Sequence, residues 1–594
     1  MTLQDSAQPT LVDPDDVREK YLVERDKRLR SDGLGQYHRA TGRMVEDPYA
    51  EVVEREPVTD EVDAVVIGGG MSGLLTAARL RMAGVQRVRV IEKGADLGGN
   101  WYWNRYPGVR CDVQSYIYLP LLEETGYMPT ERYVRGQEIL EHFRRVGRTY
   151  GLYDLALFQT TVTSMSWDEG NAQWLVRTNR GDQVRTRFLT LNTGAIHRPK
   201  LPGIPGIEDF EGRAFHSSRW DYDYTGGGPE GGLTGLSDKR VAIIGTAASA
   251  VQCIPYLAEW ALQLYVVQRT PSTVDVRDNG PTDDAWAGAL QPGWQRAYTD
   301  NFTSLLMGIK QDEVLVKDAW TDVFIGLDGF SFGEAEDGDK REQSDAVDLA
   351  KMTELRARVD SVVTDKETAE ALKPWYYYLC KRPTFSDDYL PTFNRPNVRL
   401  LDTDGRGPDR ITAHGIVVKG EEYEVDAIIY ATGFDVWLPP YETGEFEVIG
   451  RDGVSLADRW ASGVQSVHGL LTHGFPNLFT PGNSPHAAFT ANATHILDIQ
   501  GQHVARVVQR CYDEGITTID PTVEAEQRWA EEVASKQVDR TASDQLCTPG
   551  YYTNEGDTSR PGLLAVPYGG GPFEYDARCR AWLEEHFSDD LAVS

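Results

Sequence analysis

Two stretches of the chain repeat one succession of apolar runs and small residues. Val62-Asp63-Ala64-Val65-Val66-Ile67 is a short β-branched run that stops at Gly68-Gly69-Gly70-Met71-Ser72-Gly73. A small-residue segment, Leu74 to Met82, has the spacing of a helix, and Val88-Arg89-Val90-Ile91-Glu92 reads as the next strand. Strand, glycine turn, helix, strand is a βαβ unit. The succession returns at Arg240-Val241-Ala242-Ile243-Ile244-Gly245, with a helix predicted from about Ala248 to Ala261 and a strand over Leu264-Tyr265-Val266-Val267-Gln268.

The rest of the pattern divides around these units. Residues 1–60 are charged and low in apolar periodicity, which predicts an N-terminal extension lying over the surface or partly mobile. Glycine clusters at 226–228 and 231–232 mark a linker, and 281–372 is acidic and helix-patterned (Ser344 to Val363 most clearly), an insertion rather than more sheet. Ala427-Ile428-Ile429-Tyr430 reads as a strand running into Ala431-Thr432-Gly433, and Pro485 to Asp513 as a final helical region before a loop-rich tail. Ser484-Pro485 has the form of a helix N-cap followed by proline at the first helical position.

Composition narrows the function classes. With 40% hydrophobic and 25% charged residues among 594, wholesale disorder is excluded. A formal charge of −31 opposes nucleic acid and anionic lipid, so neither is an expected partner. Six cysteines (Cys111, Cys253, Cys380, Cys511, Cys547, Cys579) make no disulfide scaffold, none has a spacing suited to zinc, and no redox-active pair is visible. No apolar signal core opens the chain and no run approaches the ~20 apolar residues of a membrane span. The expectation is a reduced, soluble, cytoplasmic protein without a metal.

The first glycine turn is placed to hold a dinucleotide. Gly68, Gly70 and Gly73 follow a strand and open a helix, the context that gives a G-x-G-x-x-G its meaning. The glycines allow a tight turn and close backbone approach to a pyrophosphate, and the helix start, with Ser72 in its first turn, offers N–H groups to that anion. Glu92, 24 positions after Gly68, is placed to accept from ribose hydroxyls.

The second turn departs from the pattern. It reads Gly245-Thr246-Ala247-Ala248-Ser249-Ala250, with alanine at the second and third glycine positions. The Ala247 methyl should push a phosphate slightly outward. Arg269 lies 24 positions after Gly245, where Glu92 lies in the first unit. An arginine there suits a 2′-phosphate by forked, charge-assisted hydrogen bonding. One site thus suits FAD or NAD and the other NADPH. Two such sites predict a flavin reduced by a nicotinamide. With no cysteine pair to receive the electrons, transfer to dioxygen or to an organic acceptor remains.

Further segments narrow the chemistry. Phe210, Gly212, His216, Trp220 and Asp221 fit F-x-G-x-x-x-H-x-x-x-W-[P/D] in full. Gly98, Gly99, Trp101, Tyr106, Pro107, Gly108 and Asp112 fit G-G-x-W…[F/Y]-P-G-x-x-x-D, and Ala431-Thr432-Gly433, Phe475-Pro476-Asn477 and Lys381-Arg382-Pro383 also match. Across residues 62–590 the chain resembles a Baeyer–Villiger monooxygenase, a class B flavoprotein monooxygenase. The N-terminal extension, the altered second turn and the Cys547-Thr-Pro-Gly-Tyr-Tyr segment resemble the large-ring, cyclopentadecanone-type branch, which includes pentalenolactone-D-synthase-type enzymes.

The resemblance implies tightly held FAD, NADPH as reductant, and a C4a-peroxyflavin that inserts one oxygen of O2 beside a ketone carbonyl to give an ester or lactone. It implies an α/β fold of two Rossmann-like domains with a helical insertion in the NADPH domain. The chain then divides into a 1–60 extension, FAD-domain parts at 61–205 and 426–594, NADPH-domain parts at 206–280 and 373–425, and the insertion at 281–372. Arg382 and Asp112 are implied at the flavin as the catalytic pair. Gly99, Asn100, Trp101, Tyr106, Gly433 and Gly482 are implied as further flavin-side residues, and Thr246, Ala247, Ser249, Arg269 and Lys381 as the NADPH side. His216 and Trp220 belong to a hinge-like linker, and His216 is read as a hydrogen-bonded structural histidine.

Elementary chemistry fits that assignment. A cation with pKa ≳ 12 stabilises an oxygen anion without giving up its proton, which a buried lysine does not guarantee. An acid beside it orients it and offsets its burial. Two aromatic segments, Trp375-Tyr376-Tyr377-Tyr378 and Tyr551-Tyr552, suit either an apolar pocket for a bulky ketone or ordinary core. A heteroatom-oxygenating flavoprotein or NADPH oxidase, and a flavin-binding protein without catalysis, are the other readings of the same scaffold.

Overall fold

The β-branched run at 62–67 becomes the inner part of the strand Thr59–Ile67, parallel to Gln183–Leu191 on one side and Val88–Ile91 on the other. Ala64, Val65 and Val66 are wholly buried. A continuous apolar run of this kind belongs to a sheet covered on both faces. The structure, a computed structural model, describes residues 14–325, 338–436, 446–482, 486–537, 540–559 and 566–594. In this first sheet the strands run Glu447–Ile449, Val162–Asp168, Gln173–Thr178, Gln183–Leu191, Thr59–Ile67, Val88–Ile91, Ala156–Leu157, with Leu478–Phe479 added on Gln183–Leu191.

The helix Met71–Met82 packs on that sheet through Leu74, Leu75, Ala77, Ala78 and Leu80. Its small residues let a second helix, Ala493–Asp513, come close: a Cβ on Gly501 would sit 3.4 Å from the Thr76 nitrogen. This helix is not the final one: Val523–Lys536 and Gly571–Glu585 follow where the sequence pattern predicts a loop-rich tail. It begins at Ala493 rather than at 485, and Ser484-Pro485 lies outside the described residues. Asn492, which precedes it, is instead spent on the Ile117 carbonyl, to which its amide donates at 2.9 Å.

The second sheet has five strands, all parallel, in the order Val398–Asp402, Gln263–Gln268, Arg240–Ile244, Ala427–Tyr430, Arg213–His216. Val241 sits between Leu264 and Ala427, and the helix Ala248–Trp260 covers one face with Val251, Ile254 and Leu257 buried. The molecule is therefore α/β with two Rossmann-like units. The acidic stretch after Pro281 is helical, at Asp284–Ala289, Trp294–Leu306, Thr321–Ile325, Gly338–Val362 and Lys366–Leu372.

The N-terminal segment from Pro14 onward is not a loose cover. Its helix Pro14–Asp26 buries Val17 and Tyr21, and the Tyr21 ring meets Tyr377 edge-on at 5.1 Å. Arg28 is buried and donates to Thr270 Oγ1 at 3.0 Å, and Tyr37–Arg39 pairs antiparallel with Lys200–Pro202. Only a narrow stripe of one helix is buried, so little apolar periodicity shows in the sequence. Among the described residues no helix is long and apolar enough to cross a membrane.

Candidate functional site

A single cavity of about 1960 Å³ opens at the ends of Thr59–Ile67 and Arg240–Ile244 and is lined by both glycine turns. That is the crevice beyond the carboxyl ends of parallel strands, where α/β sheets bind ligands. Its volume exceeds the 300–1,000 Å³ of ordinary single-ligand pockets, which leaves room for two cofactors and a substrate.

The two turns are built alike. Gly68 has φ +103°, and a Cβ there would lie 2.5 Å from the Asn192 carbonyl oxygen; Gly245 has φ +115°, with the Ala431 oxygen at the same 2.5 Å. Side chains are thus excluded at both, which lets a ligand approach the backbone closely. The Gly68 and Gly245 N–H groups themselves end on the Ile91 and Val267 carbonyls, so the amides left to meet an anion are those of the helix starts that follow. Gly70 and Gly99 touch across the mouth, a Cβ on Gly99 falling 2.5 Å from Gly70 Cα. Gly73 alone among the expected cofactor residues does not line the cavity: a Cβ would strike the Gly68 oxygen at 1.8 Å, so this glycine serves the packing of helix on turn.

Around the first turn, Gly69 and Gly94 N–H groups each donate to one oxygen of Glu92 at 2.6 Å. Burial pushes the Glu92 carboxyl up, against the pull of those two amides. Ser72 Oγ accepts from Asn192 Nδ2 at 2.8 Å, and the Trp101 indole donates to Tyr118 at 3.0 Å. Asn100, Gly433 and Gly482 complete this side of the lining. Around the second turn, Thr246 Oγ1 donates to the Thr270 carbonyl at 2.7 Å, and Ala247 and Ser249 face the same space.

Where the units meet, Tyr106 OH donates to Gln252 Oε1 at 2.9 Å, which ties the aromatic loop to the helix of the second unit. Asp112 lies beside them, with 3% of its surface accessible. Its Oδ2 accepts from Arg382 at 3.1 Å and its Oδ1 from Arg277 at 2.7 Å. Arg277 is itself buried and also donates to the carbonyls of Cys111 (2.9 Å) and Phe385 (2.6 Å). Trp320 holds the Asp112 backbone oxygen at 2.9 Å. Arg382 keeps 39% of its side chain accessible, and it is a lining residue of the cavity. Burial opposes its charge, but Asp112 and the Tyr551 and Tyr552 phenols outweigh that and raise its pKa. It stays cationic.

A second cluster of charge lies at the Arg269 end. Arg269 donates to Gln36 Oε1 at 2.7 Å, to Tyr37 OH at 3.2 Å and to Glu555 Oε2 at 3.0 Å. Lys200 Nζ stands 3.9 Å from the other Glu555 oxygen. Lys381 donates to the Pro549 carbonyl at 3.2 Å, and burial, with Arg269 adding to it, lowers its pKa to about 7. The expected phosphate-binding arginine therefore already carries an internal carboxylate.

The cysteine expectation needs correction. Cys380 and Cys547, 167 residues apart, form a disulfide with Cα atoms at 5.1 Å. Pairing is decided by tertiary proximity, which spacing along the chain does not report. The bond lies beside the cavity, immediately before Lys381 and Arg382, so a cysteine pair does exist near the site. Cys111, Cys253, Cys511 and Cys579 are free and buried. Outside the cavity, His468, His503 and Cys579 bring three potential ligand atoms within 4.8 Å of one another, a cluster no spacing announced.

His216 is wholly buried, with Nδ1 facing Ser218 Oγ at 2.8 Å, and burial lowers its pKa to about 3. It is a neutral, hydrogen-bonded histidine at the end of a strand. Of the aromatic segments, Tyr551 and Tyr552 line the cavity, whereas Trp375 to Tyr378 do not. Sequence reasoning missed Arg277, Lys200, Gln36, Tyr37 and Glu555. None sits in a recognisable local pattern, because each is brought in from a distant segment.

Residues 66–127 match the model of an NAD(P)-binding Rossmann-like domain. The chain is 50% identical to a pentalenolactone D synthase of Streptomyces arenae, over 98% of this chain and 99% of that one. It is 47% identical to a Baeyer–Villiger monooxygenase of Streptomyces coelicolor, over 97% and 96%. Among solved structures it resembles a polycyclic ketone monooxygenase from the fungus Thermothelomyces thermophila with a TM-score of 0.89, at 35% identity over 98% and 99% of the two chains. It resembles OTEMO in complex with FAD and NADP with a TM-score of 0.72, at 29% identity over 91% and 100%.

Proposed function

Since this chain belongs to the Baeyer–Villiger monooxygenases, FAD-dependent and NADPH-consuming enzymes that insert one oxygen of O2 beside a ketone carbonyl, we propose that its own substrate is a bulky cyclic or terpenoid ketone and its product a lactone. The pentalenolactone-type relatives, similar over nearly the whole chain, make a sesquiterpenoid-type ketone the first choice. Leu306, Met307, Trp320 and Phe324 from the helical insertion give the cavity a broad apolar wall, which suits such a skeleton.

The residues present fit both cofactors. Gly68, Gly70, Ser72, Glu92, Gly99, Asn100, Trp101, Tyr106, Gly433 and Gly482 would hold FAD, the close Gly70–Gly99 approach leaving the mouth of the turn free of side chains. Gly245, Thr246, Ala247, Ser249, Arg269 and Lys381 would hold NADPH. Bound FAD, once reduced, supplies the activated oxygen.

The chain's own contribution is charge. Arg382 presents a permanent positive charge to the cavity and stabilises the oxyanion that develops on the attacked carbonyl without yielding a proton. Asp112 orients that guanidinium and offsets its burial, and Arg277 fixes Asp112 from behind. The observation that carries this reading is the Arg382–Asp112 pair on the wall of a cavity shared by both turns.

The experiment is product analysis of Arg382→Ala with mono-, bi- and tricyclic ketones. The variant is expected to keep FAD and to oxidise NADPH while forming no lactone. Normal lactone formation refutes the role given to Arg382.

A further inference from the structure

We infer that Glu555 is a specificity-determining residue for the nicotinamide cofactor: it sits on Arg269 as an internal carboxylate, so that a 2′-phosphate binds there against a like charge. The inference rests on the reading of Arg269 as the 2′-phosphate residue.

Glu555 is a built feature rather than a stray surface acid. Its side chain is 2% accessible, and a carboxylate buried that far persists only beside cations. Burial alone would raise its pKa, but Arg269, Lys200 and Lys381 outweigh burial and hold it below the ordinary range. It is therefore ionised at neutral pH. Asn554 and Glu555 both take left-handed backbone angles, φ 50° and 56°, closed by a hydrogen bond from the Glu555 amide to the Gly550 carbonyl at 2.8 Å. The same segment is tied at its start by the Cys380–Cys547 bond and along its length by Lys381 to Pro549. Glu555 is thus held against Arg269 by the segment that precedes it.

The other acceptors on Arg269, Gln36 and Tyr37, are neutral, and Lys200, Lys381 and Arg30 are cations close enough to act on it. A 2′-phosphate would bring between about −1.5 and −2 to this cluster. Glu555 opposes that charge while it stays in place. The 2′-hydroxyl of NAD+ carries no such charge and can donate to the carboxylate. Glu555 consequently lowers affinity for the phosphorylated cofactor and leaves the other unharmed.

The test uses oxidised FAD holoenzyme titrated with NADP+ and NAD+, which bind without hydride transfer. Glu555→Gln is expected to tighten NADP+ roughly tenfold, within the usual range of coupling between neighbouring sites, and to leave NAD+ unchanged or weaker. Unchanged or weaker NADP+ binding overturns the inference. If that variant yields too little holoenzyme, Glu555→Asp, with its charge one methylene farther from Arg269, is expected to tighten NADP+ about threefold, and wild-type affinity there overturns it equally. Arg269→Ala separates the two levels. Equal loss of NADP+ and NAD+ removes the 2′-phosphate reading itself. Loss of NADP+ alone, with no gain in Glu555→Gln, removes only the role of Glu555.

Discussion

Arg277 Nη2 lies 2.7 Å from Oδ1 of Asp112, the oxygen opposite the one that Arg382 engages at 3.1 Å. One buried carboxylate therefore connects a structural arginine, whose other donors end on backbone carbonyls, with an arginine open to the cavity. The shorter contact belongs to the structural partner. Arg277 sets where Asp112 points, and Asp112 sets where Arg382 points.

Arg277→Met should accordingly act on both stability and coupling. Removing one member of a buried ionic network costs about 3–5 kcal/mol, which should lower the thermal midpoint of the holoenzyme by several degrees. NADPH oxidation should persist while lactone per NADPH falls. A variant with unchanged midpoint and unchanged coupling would show that Asp112 needs no second arginine.

Arg382→Lys distinguishes a permanent charge from a merely positive one. Asp112 would still pair with a lysine there, but burial opposes the charge and an ammonium, unlike a guanidinium, can give up its proton to an oxygen anion. The expected result is NADPH oxidation with hydrogen peroxide as the main product and lactone formation reduced ~100-fold or more, the usual effect of losing one oxyanion-stabilising donor. Full coupling in Arg382→Lys would contradict the requirement for guanidinium.

Lys381 predicts the pH dependence of cofactor binding. With its pKa lowered to about 7, it is charged below pH 7 and increasingly neutral above. A bound phosphate favours the charged form, so binding takes up a proton, and affinity must weaken as pH rises through the free pKa. The Kd for NADP+ should rise up to about tenfold per pH unit above 7, the limit for one proton, between pH 6.5 and 8.5. Lys381→Arg should flatten that profile. Equal pH dependence in wild type and variant would assign the titration elsewhere.

The Cys380–Cys547 bond closes a loop of 167 residues. On a chain-entropy argument such a closure is worth about 5 kcal/mol. Cys547→Ser should lower the thermal midpoint and raise hydrogen exchange across residues 548–556. Alkylation of unfolded, unreduced protein should modify four thiols and not six; six would show the pair to be reduced.

Much of the fold could be read from the chain because its signals are contiguous. The strand at 62–67, the turn at Gly68, the helix after it and Glu92 all lie within about 30 residues, so each predicted element carries its own neighbours with it. The same holds for Gly245 to Arg269. Arg382 and Asp112 are far apart in sequence and were legible only through the motifs that contain them. The N-terminal segment illustrates the opposite case: Val17 and Tyr21 are its buried anchors, and two apolar residues make too short a stripe to announce docking.

By itself, then, the sequence determined the two glycine turns and the class of chemistry, and it offered Arg382 as the candidate cation, since local backbone geometry and short motifs are written in adjacent residues. Only the tertiary structure decided that Arg277 shares Asp112, that Glu555 occupies Arg269 across 286 positions, and that Cys380 meets Cys547. Each of these depends on burial: a charge or thiol withdrawn from water takes whichever partner the packing brings to it, and that partner has no fixed distance along the chain.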